Sequence, residues 1–474
     1  MSAATRDASA RGAAGGSAAR AVDVLVAEIG STTTVVSAFD GLNDQSTATG
    51  ATPCLLGQGV APTSVADGDV TIGMNTARAA LEALTGPLAP RQVLATSSAA
   101  GGLRMTVHGL TARMTAMAAR EAALGAGGVV EYQTAGRLRA HDVKAIEAAR
   151  PNLIMLAGGV EGGDVETILY NAEQLAGLSI RPIVIYAGNS AVCAEGCEIL
   201  ASAGFRVRVT PNVYPSIDQL DIVPARAVIH DAFEEHITRA PGMGRIGELV
   251  TGSILPTPGA VLVAAERLAE TLGDLVVIDV GGATTDVHSV TDGSIEMNAI
   301  QTEPQPHSKR TVEGDLGTFV SAAHVEALID AREKPDHLPP AIPQTDEDRG
   351  VAVQLARMAA VTGVHRHAGS LAYLYTPTGR QTVARGRDLT ACRIVIGTGG
   401  ALTRLPGGLE ALQASCAGSG GERLLPPADA RCVLDRDYIF AVCGALFSHC
   451  DADAVTQLML RSIGLEPPEQ HAPA

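Results

Sequence analysis

A pattern that occurs twice constrains the fold of this chain more than any other feature. In residues 22–39 an apolar strand pattern ends at an acidic residue, a glycine and several hydroxyl residues, and a β-branched strand pattern follows. Residues 275–290 repeat that order. Each copy predicts a β-hairpin. The length of 474 residues also predicts two or more domains, because one hydrophobic core rarely supports so long a chain.

The first copy of the pattern runs from Glu28 to Thr33. A carboxylate at the end of a strand can hold hydrated Mg²⁺, and Gly30 carries no Cβ that would block a close approach. The hydroxyls and amides of Ser31, Thr32 and Thr33 are then expected to face phosphate oxygens. Taken alone, the motif is explained equally well by an ordinary hairpin with a polar turn.

The second copy begins at Asp279 and has two glycines and two threonines after the acid. We expect Asp279 to bind a Mg²⁺-bound water or to orient an attacking water. A plain polar turn explains this order of residues less well. The residues expected to contact phosphate are Gly281, Gly282, Ala283, Thr284 and Thr285.

A third motif follows the strand pattern of residues 393–396 and consists of Gly397, Thr398, Gly399 and Gly400. Backbone without side chains lets a flat adenine or ribose pass, and Arg404 is expected to lie along the base. A single glycine-rich loop is weak support for a site. Two acid-headed hairpins and a glycine-rich edge in this order predict a nucleotide held between two domains.

The chain between the two copies has a different organisation. Strand and helix patterns alternate over about residues 112–240, which predicts a parallel, doubly wound sheet. Residues 241–259 are rich in glycine and proline and are expected to form a hinge. The expected division is a disordered tail at 1–20, a first domain at 21–259 that contains the insertion, a second domain at 260–465 and a flexible end at 466–474.

The three motifs resemble the phosphate-one, phosphate-two and adenosine motifs of the actin, sugar-kinase and heat-shock ATPase superfamily. More narrowly, residues from 22 to about 465 resemble the MutL/GlmL family of glutamate mutase (methylaspartate mutase) accessory proteins, which is distinct from the mismatch-repair protein called MutL. The strings that carry the narrower resemblance lie at residues 156–163, 186–189, 279–290, 309–317 and 397–401.

The resemblance implies an α/β, actin-like ATPase (ribonuclease H-like) two-domain fold with an inserted doubly wound region. It also implies ATP and Mg²⁺ as ligands, adenosylcobalamin-dependent mutase subunits as partners, and a reactivating chaperone with slow ATPase activity. The superfamily has Asp where this chain has Glu28. Because Glu is one methylene longer, we expect nucleotide binding to survive this change and hydrolysis to be affected.

Two other functions remain open. The segment from Asp279 to Asp286 also resembles ATP-dependent hydantoinases and oxoprolinases, so the chain could be a small-molecule enzyme or kinase. It could also be a regulatory module that binds ATP without hydrolysing it. Turnover stimulated by one metabolite would favour an enzyme, and nucleotide-dependent binding to a mutase would favour a chaperone.

Two further segments each have two interpretations. The glycine-rich stretch at residues 158–163 could cradle an anion or could simply be a strand-to-helix turn. Lys309 and Arg310 could sense phosphate across the cleft or belong to a solvated charge cluster.

Composition argues against several classes of function. The formal net charge of -16 opposes nucleic-acid binding, since such proteins need a basic surface. The sequence has no apolar run close to the ~18 residues of a membrane span. Its eight cysteines include no pair of C-x-x-C motifs, so we expect reduced thiols in a cytoplasmic protein rather than a zinc site.

Overall fold

The computed structural model describes residues 19–43, 52–99, 102–377, 379–416 and 421–465. Most of the expected tail at 1–20 and all of the expected flexible end at 466–474 lie outside these ranges. The strands are β1 Arg20–Ile29, β2 Thr33–Asp40, β3 Cys54–Pro62, β4 Leu88–Ser97, β5 Leu103–Gly109, β6 Gly128–Ala135, β7 Leu153–Leu156, β8 Ile183–Tyr186, β9 Val207–Val209, β10 Ile254–Pro256, β11 Leu275–Val280, β12 Thr285–Val290, β13 Ser308–Glu313, β14 Ser370–Thr376, β15 Gly379–Arg385, β16 Ile394–Thr398 and β17 Arg431–Leu434.

The helices of the described ranges connect and cover these strands, and none of them is both long and apolar enough to cross a membrane. They are α1 Val70–Thr85, α2 Thr115–Gly125, α3 Ala140–Ala149, α4 Glu166–Ala176, α5 Cys193–Ser202, α6 Val223–Ile237, α7 Thr257–Leu272, α8 Ile295–Asn298, α9 Ala322–Ala327, α10 Asp346–His367, α11 Gly400–Thr403, α12 Gly408–Gln413, α13 Phe440–Leu446 and α14 Ala452–Ser462.

Two five-stranded sheets have the same topology. The strand order is β3-β2-β1-β4-β10 in the first sheet and β13-β12-β11-β16-β17 in the second. In each sheet the first three strands are antiparallel and the remaining pairings are parallel. The sheets therefore correspond strand by strand, with β1 matching β11. The chain has an α/β fold built on two matching sheets, in agreement with the repeated pattern of the sequence.

A third five-stranded sheet, here called the inserted sheet, follows β4 and has the order β6-β5-β7-β8-β9. All its pairings are parallel, as the alternation of strand and helix patterns predicted. Its first strand in the chain begins at Leu103, ahead of the expected boundary near 112. The polar residues Arg104, Thr106 and His108 interrupt the apolar pattern of β5, although Thr106 and His108 are buried.

Small aliphatic residues allow close packing between the first and second sheets. Helices α7 and α13 lie between these sheets and contribute residues to one continuous apolar core. A Cβ on Gly444 of α13 would lie 1.9 Å from the backbone oxygen of Ala260 in α7, so a side chain at this position would force the two helices apart. An interior built this way needs few aromatic residues, which make up 3% of the chain.

Buried basic residues connect the inserted sheet to the second sheet. Arg310 on β13 donates to the carbonyl oxygens of Leu124 and Gly128, at 2.9 and 3.0 Å. Lys309 forms an ion pair of 3.2 Å with Glu121 of α2. Arg310 is 2% exposed. The prediction of a solvated charge cluster at Lys309 and Arg310 was therefore wrong, because both side chains are used in packing between sheets.

The helical patterns of residues 315–330 and 438–462 predict one helix each, and both helices differ in the structure, as does the expected hinge at 241–259. The helix expected at 438–462 is divided into α13 and α14, because Asp451 caps a new helix by accepting a hydrogen bond from the Ala454 amide. The helix expected at 315–330 is reduced to α9. The expected hinge at 241–259 contains β10, which joins the edge of the first sheet beside β4.

Candidate nucleotide site

The β1–β2 and β11–β12 hairpins face a common cavity of about 410 Å³ between the first and second sheets. This volume lies within the usual range for small-molecule sites. Most residues predicted from the sequence to form the site line it. They are Glu28, Gly30, Ser31, Thr32, Thr33, Asp279, Gly281, Gly282, Ala283, Thr284, Gly399, Gly400 and Arg404.

Three predicted residues do not reach the cavity. Thr285 is the first residue of β12, and its hydroxyl donates to the carbonyl oxygen of Leu316 at 2.6 Å. Thr398 ends β16 and donates to Asp435 at 2.9 Å. Gly397 is tightly packed, since a Cβ there would lie 2.8 Å from the side chain of Leu434. Strand residues alternate between faces, so these neighbours of the loops belong to the interior.

The two hairpins turn with the same hydrogen bond. The Gly30 amide donates to the Thr33 carbonyl at 2.9 Å, and the Gly281 amide donates to the Thr284 carbonyl at 2.9 Å. A Cβ on Gly30 would lie 2.9 Å from the Thr33 oxygen, so a side chain there would disturb the turn. The acid of each copy stands at the end of its strand, just before the turn, as the repeated sequence pattern predicted.

Buried acids give the cavity an unusual protonation chemistry. Burial raises the pKa of Glu28 to about 7, a hydrogen bond from Tyr438 lowers it, and the charge of Asp435 raises it. Burial, together with the charges of Asp286 and Glu28, raises the pKa of Asp279 well above its usual range. Burial also raises the pKa of Asp435. These carboxyl groups repel one another when ionised, so a cation between them is favoured.

Tyr438 contacts Glu28, although no sequence motif indicates this contact. Its hydroxyl donates to Glu28 at 2.8 Å, which joins β1 to a residue that follows β17. Tyr438 has φ of 51°, a conformation uncommon for residues other than glycine. The guanidinium of Arg404 lies 5.2 Å from the centre of the Tyr438 ring. Arg404 also donates to Gln58 of β3 at 3.4 Å, so these side chains bridge the two walls of the cavity.

A proline-rich segment forms a further part of the wall. The charged, proline-rich composition of residues 332–349 predicts an exposed loop, and most of these residues are exposed. Residues 339–343 and Arg349 also line the cavity together with Phe319. The fixed φ of proline makes such a segment stiff. Helix α10 begins directly after it, with a capping box between Thr345 and Asp348. Sequence reasoning identified the charge and prolines of this loop but had no means of placing it beside the hairpins.

The cavity walls fit a metal-bound nucleotide. The buried hydroxyl of Thr257 lines the cavity and has no hydrogen-bond partner among the described residues. A Cβ on Gly399 would lie 2.6 Å from the Asp279 carboxylate, and one on Gly400 would meet nothing within 4 Å. No group of three or more metal-ligating side chains occurs in the described ranges. Mg²⁺ would therefore take most of its ligands from water and phosphate, as it commonly does.

Three solved structures that align over most of the chain are distant from it. A nucleotide-free acetone carboxylase has 11% identity, covers 89% of this chain and 70% of its own, and has a TM-score of 0.36. The ethanolamine utilization protein EutJ from Carboxydothermus hydrogenoformans has 13% identity, coverage of 89% and 87%, and a TM-score of 0.25. Xylulose kinase from Bifidobacterium adolescentis has 11% identity, coverage of 89% and 92%, and a TM-score of 0.27. Scores this low assign no function.

Sequence comparison is more specific. The family model described as "MutL protein" matches residues 24–463. "Protein MutL" from Clostridium tetanomorphum is 34% identical over 453 residues, which covers 89% of this chain and 95% of that protein. Both matches extend across the two related sheets and the inserted sheet. The chain therefore belongs to the MutL protein family.

Proposed function

We propose that this protein binds Mg²⁺-ATP between its two related sheets and acts, in the cytoplasm, as an accessory or reactivating chaperone for an adenosylcobalamin-dependent mutase. The observation that carries the proposal is the position of Glu28 and Asp279, which head two matching hairpins on the walls of one cavity. The choice of partner is supported by family membership and by the resemblance to glutamate mutase accessory proteins.

Each part of the cavity has a role in this proposal. The amides of residues 31–33 and 282–284 bind phosphate oxygens, because successive backbone N–H groups in a tight turn form an anion-binding concavity. Glu28 and Asp279 hold the water ligands of Mg²⁺, which supplies the positive charge that the triphosphate and the buried acids require. The base and ribose lie along Gly399 and Gly400.

Nucleotide binding would be communicated to the rest of the molecule through the second hairpin. Asp286 of β12 accepts a hydrogen bond of 2.7 Å from Arg310. Arg310 also donates to two carbonyl groups at the base of the inserted sheet. A ligand that binds both hairpins favours the closed arrangement of the two sheets. Movement of the second hairpin would then shift the inserted sheet, which is the part of the fold available to act on a partner.

The proposal is tested by affinity capture with the full chain as bait, in the presence of Mg²⁺-ATP, Mg²⁺-ADP or EDTA. We expect an adenosylcobalamin-dependent mutase to be retained, with a yield that differs between the ATP and ADP samples. The Asp279→Asn variant provides the control and is expected to lose the difference between nucleotides. Recovery of no cobalamin-dependent enzyme under any of the three conditions would contradict the chaperone function.

A non-hydrolysing ATP-binding module is the second candidate, because Glu28 carries a hydrogen bond from Tyr438 and a raised pKa. The raised pKa opposes a role as an ionised group that positions Mg²⁺ for hydrolysis, and the hydrogen bond occupies one of the carboxylate oxygens. Phosphate release by the wild-type protein and by Glu28→Asp separates the two candidates. Release from only the variant would favour the non-hydrolysing module, and release from the wild type would favour the ATPase.

A further inference from the structure

A second cavity, of about 650 Å³, lies between the inserted sheet and the second sheet. One wall consists of β13, the end of α10 and the base of the β14–β15 hairpin, and the other consists of α2 and β6. Thr284 lines both this cavity and the proposed nucleotide site. The second cavity therefore begins beside the loop that is proposed to bind phosphate.

Positive charge predominates along this cavity although the whole chain carries a formal charge of -16. Two of the basic residues that line it have close carboxylate partners. Lys309 pairs with Glu121 at 3.2 Å, and Arg366 pairs with Glu313 and Asp315, both at 2.7 Å. Those charges are largely neutralised within the protein, so they leave little attraction for a ligand.

Three other arginines line the cavity without a close carboxylate. Arg385 is exposed, and its side chain has no hydrogen bond or ion pair with the described residues. Arg120 approaches Glu121 only at 3.9 Å, while that carboxylate is closer to Lys309. Arg387 is 2% exposed. Uncompensated guanidinium groups that face one cavity attract an anion.

Arg387 is the most deeply buried of the three arginines, and its guanidinium is held by neutral groups. It donates to the hydroxyl and carbonyl of Ser289 and to the carbonyls of Pro306 and His307, at distances of 2.6–3.2 Å. All four acceptors are neutral, and a guanidinium has five N–H groups, so one N–H remains. A buried charge is costly when no carboxylate is close enough to form an ion pair with it. Burial accordingly lowers the pKa of Arg387 to about 10.

The wall formed by α2 and β6 is apolar apart from Arg120. Leu124 at the end of α2 and Val129 and Val130 on β6 line the cavity across from Arg385 and Arg387. A simple inorganic ion would leave these apolar side chains without a partner. A molecule with anionic groups for the arginines and a hydrocarbon stem for the apolar side chains matches this lining.

We propose that this cavity is a binding site for a small organic acid that carries two or more carboxylate or phosphate groups on a hydrocarbon stem. Its charged groups contact Arg120, Arg385 and Arg387, and its stem packs against Leu124, Val129 and Val130. The site is distinct from the proposed nucleotide site, which it meets only at Thr284. Its ligand can therefore be detected when no nucleotide is present.

Calorimetric titration of the nucleotide-free full chain tests this site, with adipate as the carboxylate probe and glycerol 3-phosphate as the phosphate probe, at an ionic strength held constant with potassium chloride. We expect saturable binding of at least one probe at one molecule per chain. The probe that binds identifies the preferred anionic group. Arg385→Gln and Arg120→Gln should each weaken binding by about tenfold, since each removes one charge-assisted hydrogen bond.

Arg380→Gln is the matched control. Arg380 lies on the same strand as Arg385, is exposed, and stacks on the ring of Tyr373 at 4.3 Å instead of lining the cavity. The Arg380→Gln variant should bind the probe with the same affinity as the wild type. Absence of saturable binding by both probes would overturn the proposal, as would equal weakening in the Arg380 and Arg385 variants. Because the altered side chains are exposed, thermal unfolding of all three variants should match that of the wild type.

Discussion

The β1–β2 hairpin and the β11–β12 hairpin share a turn but differ in the residue directly across from the acid. Val35 lies opposite Glu28, whereas Asp286 lies opposite Asp279. Arg310 on the next strand binds Asp286, and this pair connects the second hairpin to the inserted sheet. In the first hairpin the residue opposite the acid is apolar. Glu28 instead accepts a hydrogen bond from Tyr438 across the cavity.

The two hairpins have the same turn, and this difference gives them separate roles. The second hairpin is ionic and coupled to another part of the fold, so it is suited to transmit a change at the nucleotide. The first holds an acid that titrates near neutral pH, so it is suited to determine how binding depends on pH. The predictions below alter one hairpin at a time.

The largest effect is expected from breaking the ion pair behind the second hairpin. Arg310→Met leaves Asp286 buried without its partner and should lower the free energy of unfolding by about 3–5 kcal/mol. The double variant Arg310→Met with Asp286→Val copies the apolar first hairpin and should recover most of that loss. Urea-induced unfolding measures the free energy of unfolding of the single and the double variant.

Arg393→Met is the control for that pair, since Arg393 and Asp429 are 66% and 80% exposed and pair at 3.2 Å. An exposed pair of this kind contributes less than about 1 kcal/mol. A loss in Arg310→Met no larger than that in Arg393→Met would contradict the ionic coupling of the second hairpin. Failure of the double variant to recover stability would do so as well.

The next largest effect concerns the first hairpin. The folded protein raises the pKa of Glu28 to about 7 from its ordinary value of 4.5, so it binds more protons than the unfolded chain between these two pH values. Stability contributed by this group therefore falls as pH rises from about 4.5 to 7 and stays low above that. Glu28→Gln should stabilise the nucleotide-free protein at pH 8 by up to about 3 kcal/mol.

Urea unfolding at several pH values tests this prediction, with the exposed Glu173→Gln as the control. The wild type and the control should lose stability across the same pH interval, and the Glu28 variant should show a smaller loss. If Glu28→Gln and Glu173→Gln have the same pH profile, Glu28 is an ordinary carboxylate and the first hairpin has no role in pH dependence.

Asp279→Asn should reduce the affinity for Mg²⁺-ATP by about 10–100-fold, the usual range for a group that orients metal ligands. Affinity for ATP in EDTA should change much less, because the glycine-rich wall and backbone amides are kept. Calorimetry measures both affinities. The exposed Asp292→Asn, just after β12, is the control, and an equal loss in the two variants would remove Asp279 from the site.

The smallest effect is expected for Tyr438→Phe, which removes one hydrogen bond worth about 1 kcal/mol. Because this bond lowers the pKa of Glu28, its loss should move the pH at which stability levels off upward. The exposed Tyr373→Phe should leave that pH unchanged. An unchanged profile in Tyr438→Phe would mean that the contact across the cavity does not hold Glu28.

Each hairpin could be predicted from the sequence because its strand, acid, glycine and hydroxyl residues follow one another in the chain. The local backbone geometry then forms the turn. Thr285 was misplaced by one position, since strand alternation turns it away from the cavity. Tyr438, Thr257 and residues 339–343 were missed because they reach the cavity from distant parts of the chain. No short motif surrounds them, and their roles depend on how the sheets are packed.

Calorimetric titration of the wild-type protein with Mg²⁺-ATP near pH 7, in two buffers of different ionisation enthalpy, tests the joint action of the hairpins most directly. We predict one nucleotide per chain, with protons released to the buffer as Mg²⁺ draws the acids around Glu28 and Asp279 into their ionised forms. Absence of saturable binding, or binding without a proton exchange between protein and buffer, would contradict a shared metal-nucleotide site.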